Sequence, residues 1–269
     1  MVKLKQVFNT DRNGSEKLLD KEKTYYFLGI KGTGMSALAL VMHDLGFKVL
    51  GSDITKHTFT EDPLRAKGIE ILPFDPANIK EDYVVVKGNA FKEDNPEVRQ
   101  SLEMGVVVQS YPDTLSELLA NYISIGVAGA HGKTSTTGIM AHCLGGLEKT
   151  NFLIGDGTGV GQQDAKFFVY EADEYRRHFL AYHPDYLVMT NIEFDHPDYF
   201  KDLDDVVAAF QTAANQVKKG LLVYGDDENL QKITAPVPKL TYGFGENDDY
   251  RAVNIEKGTH GAAFDVLYH

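Results

Sequence analysis

The chain has 269 residues, with 39 acidic against 27 basic side chains and a formal net charge of −12. No basic run marks a nucleic-acid partner, and the longest apolar stretch, MSALALVM, is too short to cross a bilayer. A single cysteine, Cys143, excludes an internal disulfide framework, and the length points to roughly two domains.

The N-terminal run MVKLKQVFNTDRNGSEKLLDKEK is charged throughout and has no apolar signal core, so a cytoplasmic protein is expected. Further along, one phrase recurs: a helix-like segment, a glycine, then a β-branched apolar run, as in MHDLGFKVLG, LRAKGIEIL, SLEMGVVVQS and QVKKGLLVYG. Gly46, Gly68, Gly105 and Gly220 are each expected to end a helix in the left-handed conformation, with a buried strand following at once. Helices alternating with parallel strands define an α/β class. A first, Rossmann-like parallel-sheet unit is predicted over 1–118, with strands near Tyr25–Gly29, Lys48–Leu50, Glu70–Leu72, Tyr83–Val86 and Val106–Gln109. A second, P-loop-type ATPase α/β unit is predicted over 119–269, through YISIGVAG, KFFVYEAD, DYLVMTNIE, GLLVYG and KLTYGF to a closing hairpin. The apolar spacing from Leu203 to Val217 predicts a one-sided helix, capped by Asp202 and suited at its end by Lys218 and Lys219. Cys143, in an apolar helix-like stretch, is expected to be packed.

The first unit opens with YYFLGIKGTGMSALAL, in which Gly32, Gly34 and Ala37 satisfy G-x-G-x-x-G/A between a predicted strand and a predicted helix. Small residues there let backbone N–H groups approach a pyrophosphate. Asp53, about twenty residues on, is placed to accept from a ribose or a base. NAD, FAD and a nucleotide diphosphate sugar all fit, and a tight β–α turn without a ligand is the bland alternative.

The second unit opens with AGAHGKTSTTG. A strict Walker A loop needs a glycine five positions before Gly132, where Val127 stands. The working parts are nevertheless present in Gly129, Ala130, His131, Gly132, Lys133, Thr134 and Ser135: glycines to curl round phosphate, a cation, and a hydroxyl for Mg²⁺. Two later strand ends add Glu171, Asp173 and Glu174, then Asn191, Glu193, Asp195 and His196. Oxygen-rich clusters facing a triphosphate suit Mg²⁺, whereas a single such cluster reads equally as solvated loop. His131 is a candidate contact to either substrate, and Arg176 or Arg177 a candidate anion clamp. GDGTGVG reads as a mobile loop or a plain connector.

Together, GIKGTGMSALA, GAHGKTSTT, EADEYRRHF and TNIEFDHPDYF, in this order, closely resemble the Mur ligases of peptidoglycan synthesis. That family uses G-x-[HN]-G-K-[ST], here Gly129 to Thr134, which accounts for the missing Walker glycine. The resemblance implies that the first turn holds the UDP part of a sugar nucleotide through Gly32, Thr33, Gly34, Met35 and Ser36, with Asp53, Asn89, His131 and Arg176. It also implies an ATP-dependent amide ligase joining L-alanine to UDP-N-acetylmuramate through an acyl phosphate. Lys133 would steady the β- and γ-phosphates, Thr134 and Glu171 would hold one Mg²⁺, and His196 would serve a second. Lys133, Glu171 and His196 are thus the expected catalytic set. Mur ligases have three domains, and nothing after Phe264 resembles the third, so the expectation is a shortened form that binds UDP-sugar without useful turnover. The rivals are a sister ligase that adds a preformed murein peptide, an NAD-dependent oxidoreductase and a nucleotide-sensing module; DEYRRHF favours the alanine enzyme.

Overall fold

The computed structural model describes residues 19–259 and 261–268, so most of the charged N-terminal run read above lies outside the described residues. Five parallel strands, β1 (Thr24–Leu28), β2 (Lys48–Asp53), β3 (Glu70–Pro73), β4 (Tyr83–Lys87) and β5 (Val107–Ser110), form a sheet of order β3-β2-β1-β4-β5. They alternate with helices α1 (Thr33–Asp44), α2 (Glu61–Ala66), α3 (Pro96–Glu103) and α4 (Tyr111–Leu119). The central β1 is apolar on both faces because helices cover both, as parallel sheets require. Strand order reverses between β1 and β4, so the turns after these two strands flank a crevice at their carboxyl ends.

A second, nine-stranded sheet follows. Its elements are β6 (Ile123–Ala128), α5 (Lys133–Gly145), β7 (Thr150–Leu153), β8 (Gly159–Val160), β9 (Phe167–Glu171), β10 (Tyr186–Met189), α6 (Leu203–Asn215), β11 (Gly220–Tyr224), α7 (Glu228–Lys232), β12 (Lys239–Gly243), β13 (Tyr250–Gly258) and β14 (Gly261–Tyr268). The order is β14-β13-β12-β11-β10-β6-β9-β7-β8, parallel except for the hairpins β7–β8 and β13–β14. With β6 at its centre, the carboxyl ends of β6, β9 and β10 lie side by side.

Helix α1 is buried continuously from Met35 to Met42, more than a helix lying on one sheet needs. The β7–β8 hairpin of the second sheet explains it, since the hairpin lies on the other side of α1. A side chain at Gly159 would place its Cβ 2.1 Å from the Ala37 carbonyl, and one at Gly161 would lie 2.6 Å from that of Val41. Asp44 of α1 accepts the Gly161 amide at 3.1 Å. GDGTGVG thus spans the turn and second strand of the β7–β8 hairpin, where missing side chains at Gly159 and Gly161 let the two sheets' units pack. One buried apolar cluster accordingly runs from Phe27 and Leu38 to Tyr170 and Phe210.

Other local expectations need correction. Gly46, Gly68 and Gly105 are left-handed, at φ +86°, +75° and +69°, but Gly220 is not among the positive-φ residues and simply starts β11. Asp202 caps α6 by accepting the Asp205 amide, yet the helix stops at Asn215, and Lys219 pairs at 2.9 Å with Asp185 just before β10. Cys143 is exposed on α5, because the covering side of that helix is Thr137 and Ala141. Beneath β1, buried Glu97 of α3 accepts from Tyr26 Oη (2.8 Å), Ser52 Oγ (2.5 Å), Asn78 Nδ2 (3.0 Å) and the Asp75 amide (3.0 Å). That one carboxylate ties β1, β2 and the β3–β4 connection to α3.

Candidate active site

The turn from β6 into α5 is shaped from β10. Gly129 has φ +146°, and a Cβ there would lie 2.0 Å from Thr190 Oγ1, so only glycine fits. Thr190 Oγ1 donates to the His131 carbonyl at 2.6 Å. Asn191 grips the same residue twice, donating to its carbonyl at 2.9 Å and accepting its amide at 2.9 Å. Gly132 precedes α5 at φ +80° with open space around it; its backbone alone demands glycine. The result is a curled loop ending at an exposed helix N-terminus with Thr134 and Ser135, a geometry and dipole suited to an anion.

Lys133 lies folded across this loop. Its ammonium donates to the Gly129 carbonyl (2.5 Å), the Ala130 carbonyl (3.3 Å) and Glu174, whose Oε2 lies 2.9 Å away. Glu174 is only 1% exposed, and burial pushes its carboxyl above the usual range although Lys133 opposes the shift. His196 Nε2 lies 3.8 Å from Glu174 and 3.8 Å from Asp195, and Tyr175 packs on its ring at 4.6 Å. The donor atoms of Glu174, Asp195 and His196 fall within 4.8 Å of one another, an oxygen-rich set compatible with a hard divalent cation. Glu171, expected to share one cation with Thr134, accepts the Gly155 amide at 2.8 Å, where a Cβ on Gly155 would collide with its carboxylate.

Between the two sheets' units lies a cavity of about 370 Å³. The first unit lines it with Gly32, Thr33, Gly34, Met35 and, after β4, Gly88 and Asn89; the second contributes Lys133, Gly155, Glu171, Asp173 and His178. Partly buried Tyr111 walls it beside Gly34. Burial, with Asp173 and Glu171 nearby, raises the Tyr111 hydroxyl pKa, so it stays a neutral donor. Asn89 contacts His178 Nε2 across the two units; burial lowers the pKa of this imidazole against the pull of Asp173.

Asp53, Ser36, His131, Thr134, Arg176 and His196 do not line that cavity. Asp53 accepts the Lys31 and Ile54 amides, each at 2.7 Å, and so braces the first glycine turn. Ser36 Oγ bonds to the Thr33 carbonyl inside α1. The His131 imidazole is exposed, 3.6 Å from Glu193. Arg176 and Arg177 both have positive φ; Arg177 is spent on Asp205 at 2.6 Å, leaving exposed Arg176 over the Tyr175 ring. Residues missed from sequence are Thr190, Tyr111 and His178. The last sits within DEYRRHF, beside two arginines whose fixed charge is the stronger sequence signal for an anion.

The first turn is also braced from the segment after β2 and from α2. Buried Lys31 pairs with Glu61 at 2.5 Å and donates to the Ile54 and Lys56 carbonyls. Lys31, with help from Arg65, holds the Glu61 carboxyl down from 4.5 to about 2. Because the folded value is depressed, the pair's contribution is fully present above 4.5 and is lost as pH falls toward about 2. Glu61→Gln should therefore flatten the decline of urea-melt midpoints across that acid window and lower the midpoint at neutral pH. Unchanged acid dependence would contradict this linkage.

Residues 24–123 match the model of the Mur ligase family catalytic domain, and residues 127–269 that of the Mur ligase middle domain. The UDP-N-acetylmuramate–L-alanine ligase of Lactobacillus gasseri is 63% identical over 94% of this chain, which spans 58% of that relative's length. Among solved structures, a UDP-N-acetylmuramate:L-alanyl-γ-D-glutamyl-meso-diaminopimelate ligase from Neisseria meningitides superposes with a TM-score of 0.78 at 33% identity, covering 91% of this chain and 84% of that one. The UDP-N-acetylmuramate–alanine ligase of Thermotoga maritima gives 0.78 at 26% identity, over 91% and 58%. With both units matched in order, and with the lysine loop, the strand-end acids and the paired sheets arranged as described, the chain belongs to the Mur ligase family.

Proposed function

We propose that this chain carries the UDP-sugar unit (1–118) and the ATP-phosphate unit (119–269) of a UDP-N-acetylmuramate–L-alanine ligase. The observation behind this reading is that the Gly32–Met35 turn, Lys133 and Glu171 line one cavity, so two anionic substrates anchored on separate units would meet there. The sugar diphosphate would rest on the first turn, and the ATP phosphates on Gly129–Ser135. The lactyl carboxylate of UDP-N-acetylmuramate then attacks the γ-phosphorus, ADP leaves, and the amine of L-alanine displaces phosphate from the acyl phosphate. Phosphoryl transfer of this kind depends on positioning and charge neutralisation. Lys133 supplies one positive charge; one Mg²⁺ held by Thr134 and Glu171, and a second held by His196 with Glu174 and Asp195 beside it, would supply the rest by offsetting repulsion between the reacting anions. The 63% identity to the Lactobacillus gasseri alanine ligase over 94% of this chain supports L-alanine as the acceptor.

A thermal-shift titration tests the reading. UDP-N-acetylmuramate should raise the melting temperature and Mg·ATP should raise it further, since a ligand at 100 times its Kd stabilises by about 2.7 kcal/mol. Stabilisation by NAD alone, with no response to the UDP-sugar, would overturn it.

A further inference from the structure

An ammonium has three protons to donate, and those of Lys133 are directed at the Gly129 carbonyl, the Ala130 carbonyl and the Glu174 carboxylate. A phosphate can recruit this lysine only by displacing one of them. Two are loop carbonyls that water or the loop itself can satisfy. The third is a carboxylate 1% exposed, whose Oε2 has no hydrogen bond among the described residues beyond its ion pair with the lysine. Drawing Lys133 away leaves that buried charge uncompensated, the costly way to break such a pair. Among the described residues His196 and Asp195 lie beside it, with donor atoms that fall within 4.8 Å of one another and of Glu174's, while Asp173 adds further negative charge nearby and so offers no relief.

We propose, resting on the ATP-phosphate reading above, that Glu174 is a positioning residue that makes nucleotide binding depend on a divalent cation: it holds Lys133 back until a cation at Glu174, Asp195 and His196 takes over its charge. Lysine and metal thus exchange at one carboxylate, and nucleotide without metal is rejected because nothing replaces the ammonium. Isothermal titration of the full chain with ATP, in excess EDTA and then in Mg²⁺, reads this directly as a ratio of two Kd values. The wild-type chain should show a large ratio. Glu174→Gln removes the retained charge and should tighten metal-free binding by about tenfold or more, collapsing the ratio toward one. Asp195→Asn keeps the Lys133–Glu174 pair but replaces an anionic carboxylate at the cation site with a neutral amide; it should weaken binding in Mg²⁺ while leaving the EDTA value unchanged. A merely structural Glu174 would shift melting temperature without altering the ratio, and a wild-type ratio preserved in Glu174→Gln overturns the proposal. If the wild-type chain fails to bind Mg·ATP at all, the ATP-phosphate reading itself falls, and this inference with it.

Discussion

Lys133→Met should weaken Mg·ATP binding by roughly 10- to 150-fold, the loss of one charge-assisted hydrogen bond worth about 1.5–3 kcal/mol. The same substitution should also lower stability, because it strands Glu174, which is 1% exposed and has its ion pair with this ammonium at 2.9 Å. The two effects separate in the double variant. Lys133→Met with Glu174→Gln should recover the urea-melt midpoint, since no buried charge remains, but not the affinity, since no cation reaches the phosphates. Calorimetric titration and urea melts on the four chains of this cycle supply the check. Wild-type affinity in Lys133→Met would remove the lysine from the phosphate site, and a midpoint that the second substitution fails to recover would show that the pair is not what the stability loss reports.

The largest stability effect is expected at a residue outside the cavity lining. Glu97→Ala withdraws the common acceptor of Tyr26, Ser52, Asn78 and the Asp75 amide. Buried donors left without a partner each incur a desolvation penalty, and the sum should be about 3–5 kcal/mol, a large share of the stability of an ordinary domain. Glu97→Gln, which keeps the shape and one carbonyl acceptor, should lose less. Chemical denaturation gives both values. Because Glu97 lies outside the cavity lining, UDP-sugar affinity of the folded protein should stay at the wild-type level in either variant. Equal midpoints for Glu97→Ala and wild type would show that water satisfies these donors.

Much of the architecture was legible in the residues. The strands of the first sheet fall within a residue or two of the apolar runs at Tyr25, Lys48, Glu70, Tyr83 and Val106, except that β2 continues to Asp53. Buried parallel strands are contiguous in sequence, and helix-ending glycines mark their starts. The β7–β8 hairpin was not legible, because β7 and β8 are short and what holds them is α1, more than a hundred residues away. Glycines that make room for another backbone look, in sequence, like glycines that make a loop flexible. The site divides in the same way. The lysine loop has a local signature, but whether Glu171 or Glu174 reaches Lys133 depends on how the chain turns after β9, which spacing alone does not encode. In the fold Glu174 turns inward to the lysine while Glu171 meets Gly155 and the cavity. Arg176 and Arg177 likewise diverge through consecutive positive φ angles, at +52° and +59°, which no composition rule anticipates.

A crystal structure of the chain with UDP-N-acetylmuramate, Mg²⁺ and a non-hydrolysable ATP analogue tests the two-loop arrangement most directly. The account predicts the sugar diphosphate on the Gly32–Met35 turn and the triphosphate on Gly129–Ser135, with a lactyl carboxylate oxygen roughly 3–3.5 Å from the γ-phosphorus in the shared cavity. A triphosphate on the first turn, or the sugar diphosphate on the lysine loop, would contradict it.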